Sequence, residues 1–241
     1  MADQDFIKKQ VEELSNKIAV AQEEIIDGIM ELTKGKTNAE AVQIINELNI
    51  DEIVKLKTSG ILAGYTTAQT DMLLSKQFFG NISEDELRAL LIASEQYFGA
   101  NLANMGGVIR QQVLNGIINN KTSADIIEAI GKQGYGTVGL SRIVRDGMNN
   151  YSRAVSSFMI DKAPENTKYV YIGPADDRTR HFCLELMAAG NLTVGEIRDN
   201  GWIDSLTEGG GINCRHNWEL AAQETKTAFH NPDKAQEILD A

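Results

Sequence analysis

Two segments decide the fold of this chain: YVYIGPADDRTRHFC at residues 169–183 and GGGINCRHNW at residues 209–218. They contain the only two cysteines of the 241 residues, Cys183 and Cys214, and two of the three histidines. Before residue 163, apolar residues recur at spacings of three and four, which is typical of helices, whereas these segments have a strand-like composition. We therefore expect the fold to change from helix to sheet at this point.

The two segments each predict a strand. Residues 168–172 combine aromatic and β-branched side chains, and Pro174 cannot continue a strand that begins there. Apolar and polar residues alternate from Ile212 to Glu219. Because successive side chains of a strand point to opposite faces, this alternation places Cys214 and His216 on the same face.

The N-terminal region begins with an amphipathic helix that should end near Gly35. Its apolar seam consists of Ile7, Val11, Leu14, Ile18, Ala21, Ile25 and Leu32. Such a seam either packs against other helices of the same chain or forms a coiled coil with another subunit. Both interpretations require that the seam be covered by protein.

Further helix starts are marked by capping boxes, in which a Ser or Thr hydroxyl and a Glu carboxylate three residues later satisfy free backbone amides. The pairs are Thr37 with Glu40, Ser83 with Glu86, and Thr193 with Glu196. Another helix is expected after Thr66-Thr67, in a run that includes Phe78 and Phe79, and a short one from Ser123. In the tail, Asn231 as a cap and Pro232 at the first helical position predict a terminal helix.

A long helix is predicted from Leu140 to Lys162, after a glycine-rich linker over residues 132–139. One of its faces is apolar. The other face is expected to be solvated, and it carries Arg142, Arg145, Asp146, Arg153, Asp161 and Lys162.

These patterns predict a mainly α protein, with a helical N-terminal region followed by a small α+β C-terminal domain. The expected borders are residues 1–162 for the helical scaffold, 163–220 for the small domain and 221–241 for a helical tail. The net charge of −11 disfavours a protein that wraps nucleic acid through its whole surface. Nucleic acid is therefore not an expected partner. No apolar run is long enough for a membrane span, so we do not expect a membrane partner either.

Four side chains of the two segments could bind a metal ion. His181 and Cys183 are two residues apart, as are Cys214 and His216, and tetrahedral zinc takes four such nitrogen and sulfur donors. The alternatives are that both cysteines are buried apolar residues or that they form a disulfide. A catalytic Cys–His pair is a further alternative, but the sequence marks no oxyanion hole beyond the three glycines, and we predict no catalytic residue.

The first segment also carries alternating charges after its strand, at Asp176, Asp177, Arg178 and Arg180. A carboxylate and a guanidinium at this distance can form a bidentate pair that fixes a loop. We therefore predict a structural loop held by Asp177, Arg178 and Arg180. Binding of a phosphate or a metal by these residues is the alternative.

The two segments, in this order and about thirty residues apart, resemble the head-morphogenesis, or Mu F-like, minor head protein family of tailed bacteriophages. The resemblance covers about residues 140–218. It extends to Cys183, Cys214 and His216 and to the charged loop, whereas the family often has Pro where this chain has His181.

This resemblance implies a structural role and no enzymatic activity. It implies a minor head protein that acts in procapsid assembly, with the portal protein and other head or scaffold proteins as partners. The expected location is the host cytoplasm during assembly and then the head interior or the portal vertex, with packaged DNA nearby. The alternative is an enzyme or toxin-like domain that uses Cys183, Cys214 and His216.

Overall fold

The computed structural model describes residues 4–75, 83–211, 214–221 and 232–240. Helices make up most of these residues, and a small sheet lies towards the C-terminus, so the predicted fold class is confirmed. The helices are α1 (Gln4–Thr33), α2 (Asn38–Glu47), α3 (Ile50–Ser75), α4 (Glu84–Ile118), α5 (Ser123–Ile130), α6 (Thr137–Asp161), α7 (His181–Ala188), α8 (Val194–Asp199), α9 (Ser205–Glu208) and α10 (Pro232–Leu239). The strands are β1 (Lys168–Ile172), β2 (Leu192–Thr193) and β3 (Asn217–Leu220). Among the described residues, no helix combines the length and apolar composition that crossing a membrane requires.

The predicted capping boxes are present and set where helices begin. At α2, the backbone N–H of Thr37 donates to Glu40 Oε2 at 2.8 Å, and the Glu40 N–H donates to Thr37 Oγ1 at 3.3 Å. The same reciprocal contacts join Ser83 to Glu86 before α4 and Thr193 to Glu196 before α8. Because the caps are local in sequence, these starts could be predicted without knowledge of the tertiary fold.

The predicted helix start at Thr66-Thr67 is wrong, because α3 continues through both residues. Their hydroxyls donate to the carbonyl oxygens of Leu62 and Ala63, at 3.1 and 2.9 Å, four residues earlier in the same helix. Threonine therefore does not act as a cap here. Phe78, Phe79 and the predicted cap Asn231 lie outside the described residues, whereas Pro232 is the first residue of α10 as predicted.

One compact unit comprises residues 5–68 and 95–145. In it the seam of α1 is buried by the chain's own helices: Ile18 is fully buried, and a Cβ at Gly64 of α3 would lie 3.5 Å from Leu14. Leu32 is the exception, being 56% exposed. Arg110 of α4 donates to the Leu48 carbonyl oxygen at 2.9 Å, which fixes the end of α2. Between α5 and α6 a π-helical turn spans Gly131–Tyr135, and Gly134 in it has a φ of 90°. The predicted linker is too long, because α6 already begins at Thr137.

The described residues of 69–94 and 146–241 group into a second unit, which contains the sheet. The strand order is β2-β1-β3, and both pairs are antiparallel, with Tyr171 opposite Trp218. Helix α10 packs on α7, and Ala235 is fully buried there. The predicted domain borders at 162/163 and 220/221 stay predictions.

The predicted strand over Ile212–Glu219 is too long. Residues 212 and 213 lie outside the described residues, and β3 begins only at Asn217. Residues 214–216 precede β3 and are not paired in the sheet, and the N–H of Cys214 donates to the Gly211 carbonyl oxygen at 3.0 Å. Cys214 and His216 lie together as expected, with the Cys214 sulfur 3.7 Å from His216 Nδ1.

Candidate metal centre

Three donor side chains meet in the core beside the sheet. Cys183 is supplied by α7, and Cys214 and His216 come from the segment that directly precedes β3. The two sulfur atoms are 3.8 Å apart, Cys214 Sγ is 3.7 Å from His216 Nδ1, and all three donor atoms lie within 4.8 Å of one another. Exposure of the three residues is 1%, 3% and 2% in chain order. This cluster could hold a metal ion.

The distances agree with the dimensions of a tetrahedral zinc site. Zinc bonds of about 2.3 Å to sulfur and about 2.0 Å to nitrogen place two sulfurs about 3.8 Å apart and a sulfur and a nitrogen about 3.5 Å apart. The two distances quoted above for Cys214 match these tetrahedral edges closely. Two thiols and an imidazole also form a donor set that suits zinc in its chemical softness.

The hydrogen bond of His216 leaves its other ring nitrogen available as a ligand. Nε2 lies 3.0 Å from the carbonyl oxygen of Pro174. A carbonyl oxygen only accepts hydrogen bonds, so Nε2 carries the proton, and Nδ1 of the neutral ring has its lone pair free. Metal-binding histidines generally donate their second N–H in this way, which fixes the ring orientation.

Cys214 is surrounded by donors that favour a thiolate. The backbone N–H groups of His216, at 3.4 Å, and of Gly210 both donate to its sulfur. The hydrogen bond with Cys183 is the main cause that lowers the pKa of the Cys214 thiol, and the same contact raises the pKa of Cys183. One thiol of the pair therefore loses its proton much more readily than the other. A thiolate is the form in which cysteine binds metals.

The glycine triplet gives the sulfurs the space they need. A Cβ at Gly210 would lie 2.3 Å from Cys183 Sγ, a distance that no side chain can occupy. Gly209 has a φ of 59° and a ψ of −132°, a conformation that L-residues rarely adopt. Both glycines are therefore required by the cluster.

Two arginines connect the two sequence segments reciprocally. Arg215 of the second segment forms a bidentate pair with Asp176 of the first, with N–O distances of 2.5 and 2.7 Å. Arg180 of the first segment donates to the Gly210 carbonyl oxygen of the second at 2.6 Å. The Arg215 guanidinium holds the pKa of the Asp176 carboxyl well below its usual range. Both loops are thereby fixed around the cluster.

The loop was predicted to be held by Asp177, Arg178 and Arg180, and the structure corrects this set of residues. Arg180 does fix the structure, but it does so through a backbone carbonyl. Asp177 and Arg178 have exposed side chains, and Arg178 contributes its backbone N–H to Asp176 Oδ1 at 3.1 Å. The carboxylate–guanidinium pair joins residues that are 39 positions apart, which a local charge pattern cannot indicate.

His181 does not belong to the cluster, and this corrects the predicted set of four ligands. Its side chain is 74% exposed, with Nδ1 3.3 Å from Oε1 of Glu185. The reason is that α7 begins at His181. Residues two apart on a helix point about 200° away from each other, so a helix that buries Cys183 turns His181 to solvent.

Two residues that support the centre from α6 were not recognised in the sequence. Asn149 and Arg153 both donate to the Cys214 carbonyl oxygen, at 3.4 and 3.1 Å, and both are buried. Arg153 is only 5% exposed, so its assignment to a solvated face is wrong. The spacing could have indicated this: Arg153 follows Asn149 by four residues, so both lie on the same face of the helix, and that face is buried.

No protein-family profile, curated protein or solved structure matches this chain. The resemblance to the phage head-morphogenesis family thus stays a hypothesis, which depends on the two sequence segments.

Proposed function

We propose that this chain is a structural minor head protein of a tailed bacteriophage, which acts in head assembly at or near the portal. The observation that carries the proposal is that the two segments of the resemblance form one site. Cys183 and Cys214 are in contact, and Arg180 and Arg215 each bind the opposite segment. A motif whose halves cooperate physically is better support for a family relationship than two short, independent matches.

The metal in this proposal is zinc, bound by Cys183, Cys214 and His216. The small sheet has strands of five, two and four residues, so it buries little apolar surface by itself. A bound ion would join α7 to the segment that precedes β3 and would contribute its binding free energy to folding. Its role would be structural, holding the C-terminal domain in one conformation during assembly.

The alternative is an enzyme or toxin-like domain that uses the same three side chains. A nucleophilic thiol has to reach its substrate, and reactive cysteines are partly exposed in general. Here the exposure of the donor residues is 3% or less. Burial of this kind is typical of a structural centre, and it favours the assembly role over catalysis.

The assembly role is tested by mass spectrometry of purified virions and procapsids from the phage that encodes the chain. We expect the protein in few copies, associated with the portal protein. Crosslinking in procapsids should connect it to the portal or to another head or scaffold protein. Absence from both particles would contradict the proposal.

The zinc centre is tested separately by metal analysis of freshly purified protein. We expect about one zinc per chain in the wild type and a large loss in Cys214→Ser. His181→Ala is the matched control, because this histidine is exposed and outside the cluster, and it should retain its zinc. A wild-type protein that contains no zinc, does not take it up and still melts cooperatively would exclude the metal centre.

A further inference from the structure

We propose that the hydroxyl oxygen of Tyr171 is the fourth ligand of the metal centre, completing a set of two sulfurs, one nitrogen and one oxygen. This inference rests on the metal site proposed above. Of the four cysteine and histidine ligands expected from the sequence, His181 is turned to solvent. The described residues supply three donors of that kind, and tetrahedral zinc takes four.

The position of the Tyr171 oxygen agrees with a tetrahedral corner. Oη lies 3.5 Å from Cys214 Sγ and 4.0 Å from Cys183 Sγ. Zinc bonds of about 2.3 Å to sulfur and about 2.0 Å to oxygen predict a sulfur–oxygen edge of about 3.5 Å. The oxygen is therefore close to both sulfurs, and its shorter distance, to Cys214 Sγ, matches the tetrahedral edge.

The aromatic ring is held so that its oxygen stays at this place. Tyr171 is fully buried at the centre of the sheet. Its ring stacks on His216, with centroids 5.5 Å apart and planes 9° apart, and it contacts Trp218 of the neighbouring strand at 5.1 Å. Trp218 is itself fixed by a 2.8 Å hydrogen bond from its indole N–H to Ser205 Oγ. A ligand on a rigid strand needs little reorganisation when a metal binds.

The chemistry of binding is a replacement of protons by one divalent cation. In the metal-free protein the Tyr171 hydroxyl is a phenol in contact with both sulfur atoms. When zinc binds, bonds form to both Sγ atoms, to His216 Nδ1 and to Oη. The protons that the two sulfurs and the phenol still hold leave to solvent, and no redox change takes place.

The experiment is titration of metal-free, full-length protein with Zn²⁺, monitored by ultraviolet difference absorption of tyrosine and by a competing chelator. In the wild type we expect the absorption change of tyrosinate formation at one equivalent. Tyr171→Phe keeps the ring contacts but removes the oxygen. It should lose this signal and bind zinc at least about tenfold more weakly.

Tyr169→Phe is the matched control. It removes a buried tyrosine hydroxyl two residues earlier in β1, and it should bind zinc and show the signal as the wild type does.

Zinc binding without tyrosinate absorption in the wild type would overturn the assignment of Tyr171 and leave the three-donor centre in place. Unchanged affinity in Tyr171→Phe would do the same. Failure of the wild type to bind zinc would remove both proposals. The wild-type signal decides the question even where a variant fails to fold.

Discussion

Gly173 lies directly against the imidazole ring of His216. A Cβ atom at position 173 would be 2.1 Å from Cδ2 and 2.5 Å from Cγ of the ring. The ring cannot yield freely, because it is stacked on Tyr171 and hydrogen-bonded to Pro174 through Nε2. Only glycine at position 173 therefore leaves room for the His216 ring in the orientation that directs Nδ1 at the metal centre.

The first prediction is that Gly173→Ala damages the centre while Gly195→Ala does not. The added methyl group must displace the His216 ring, so zinc affinity should fall by more than about tenfold. Gly195 is the control, since a Cβ there would meet only Thr193 Oγ1, at an ordinary 3.8 Å. Chelator competition measures both variants. Equal affinity of Gly173→Ala and wild type would contradict the role of His216 as a ligand.

The second prediction concerns the pH dependence of the Asp176–Arg215 pair. Since the pair lowers the pKa of Asp176 in the folded protein, its stabilisation is complete above the unfolded value of about 3.9. It is lost as the pH falls through the lower folded value. Asp176→Asn should therefore be less stable than the wild type at pH 7, by about 1 kcal/mol or less because the pair is partly exposed.

Urea unfolding at a series of pH values measures this difference. The gap between Asp176→Asn and the wild type should narrow as the pH is lowered into the acid range. Asp177→Asn removes the adjacent carboxylate, which is exposed and lies outside the pair, and should not change stability. A difference in stability that does not change with pH would show that the negative charge of Asp176 does not contribute, and would contradict the prediction.

The third prediction concerns the seam of α1. Ile18 is fully buried, so Ile18→Asp places an uncompensated carboxylate in the helical core and should cost about 3 kcal/mol or more. Val20 is 55% exposed on the same helix, and Val20→Asp should be nearly neutral. Unfolding followed by far-ultraviolet circular dichroism compares the two. If Ile18→Asp changes neither folding nor incorporation into heads, the seam is not a packing surface.

The elements that the sequence predicted well have local causes. Capping boxes at Thr37, Ser83 and Thr193 and the apolar seam of α1 depend on residues within a few positions of each other. Helix α7 has no such signal: Arg180, the residue before its first turn, makes no capping hydrogen bond with its side chain, and the sequence HFCLELMA is apolar at nearly every position. Its helical state is decided by packing against β1 and α10, which the sequence does not display.

The same distinction applies to the site. Cys183, Cys214 and His216 could be found because the chain has so few cysteines and histidines. His181 could be excluded from the ligands only once it was known that α7 begins at this residue. The contacts of Arg153 with Cys214 and of Arg215 with Asp176 span 61 and 39 residues, and no local pattern could have shown them.

The last prediction separates a metal centre from a pair of buried thiols or a disulfide. The chain has two tryptophans, and both belong to the C-terminal core that contains the metal centre: Trp218 is buried in it and Trp202 packs against it. Tryptophan fluorescence therefore reports on the unfolding of this core. Most helical signal comes from elsewhere. If zinc contributes folding free energy, a chelator should lower the fluorescence-detected melting temperature and leave the main helical transition unchanged. Added zinc should restore the melting temperature in the wild type but not in Cys183→Ala.

Under the buried-thiol alternative, the chelator has no effect, and Cys183→Ala costs about 1 to 2 kcal/mol of stability. A disulfide would instead respond to a reductant and not to the chelator.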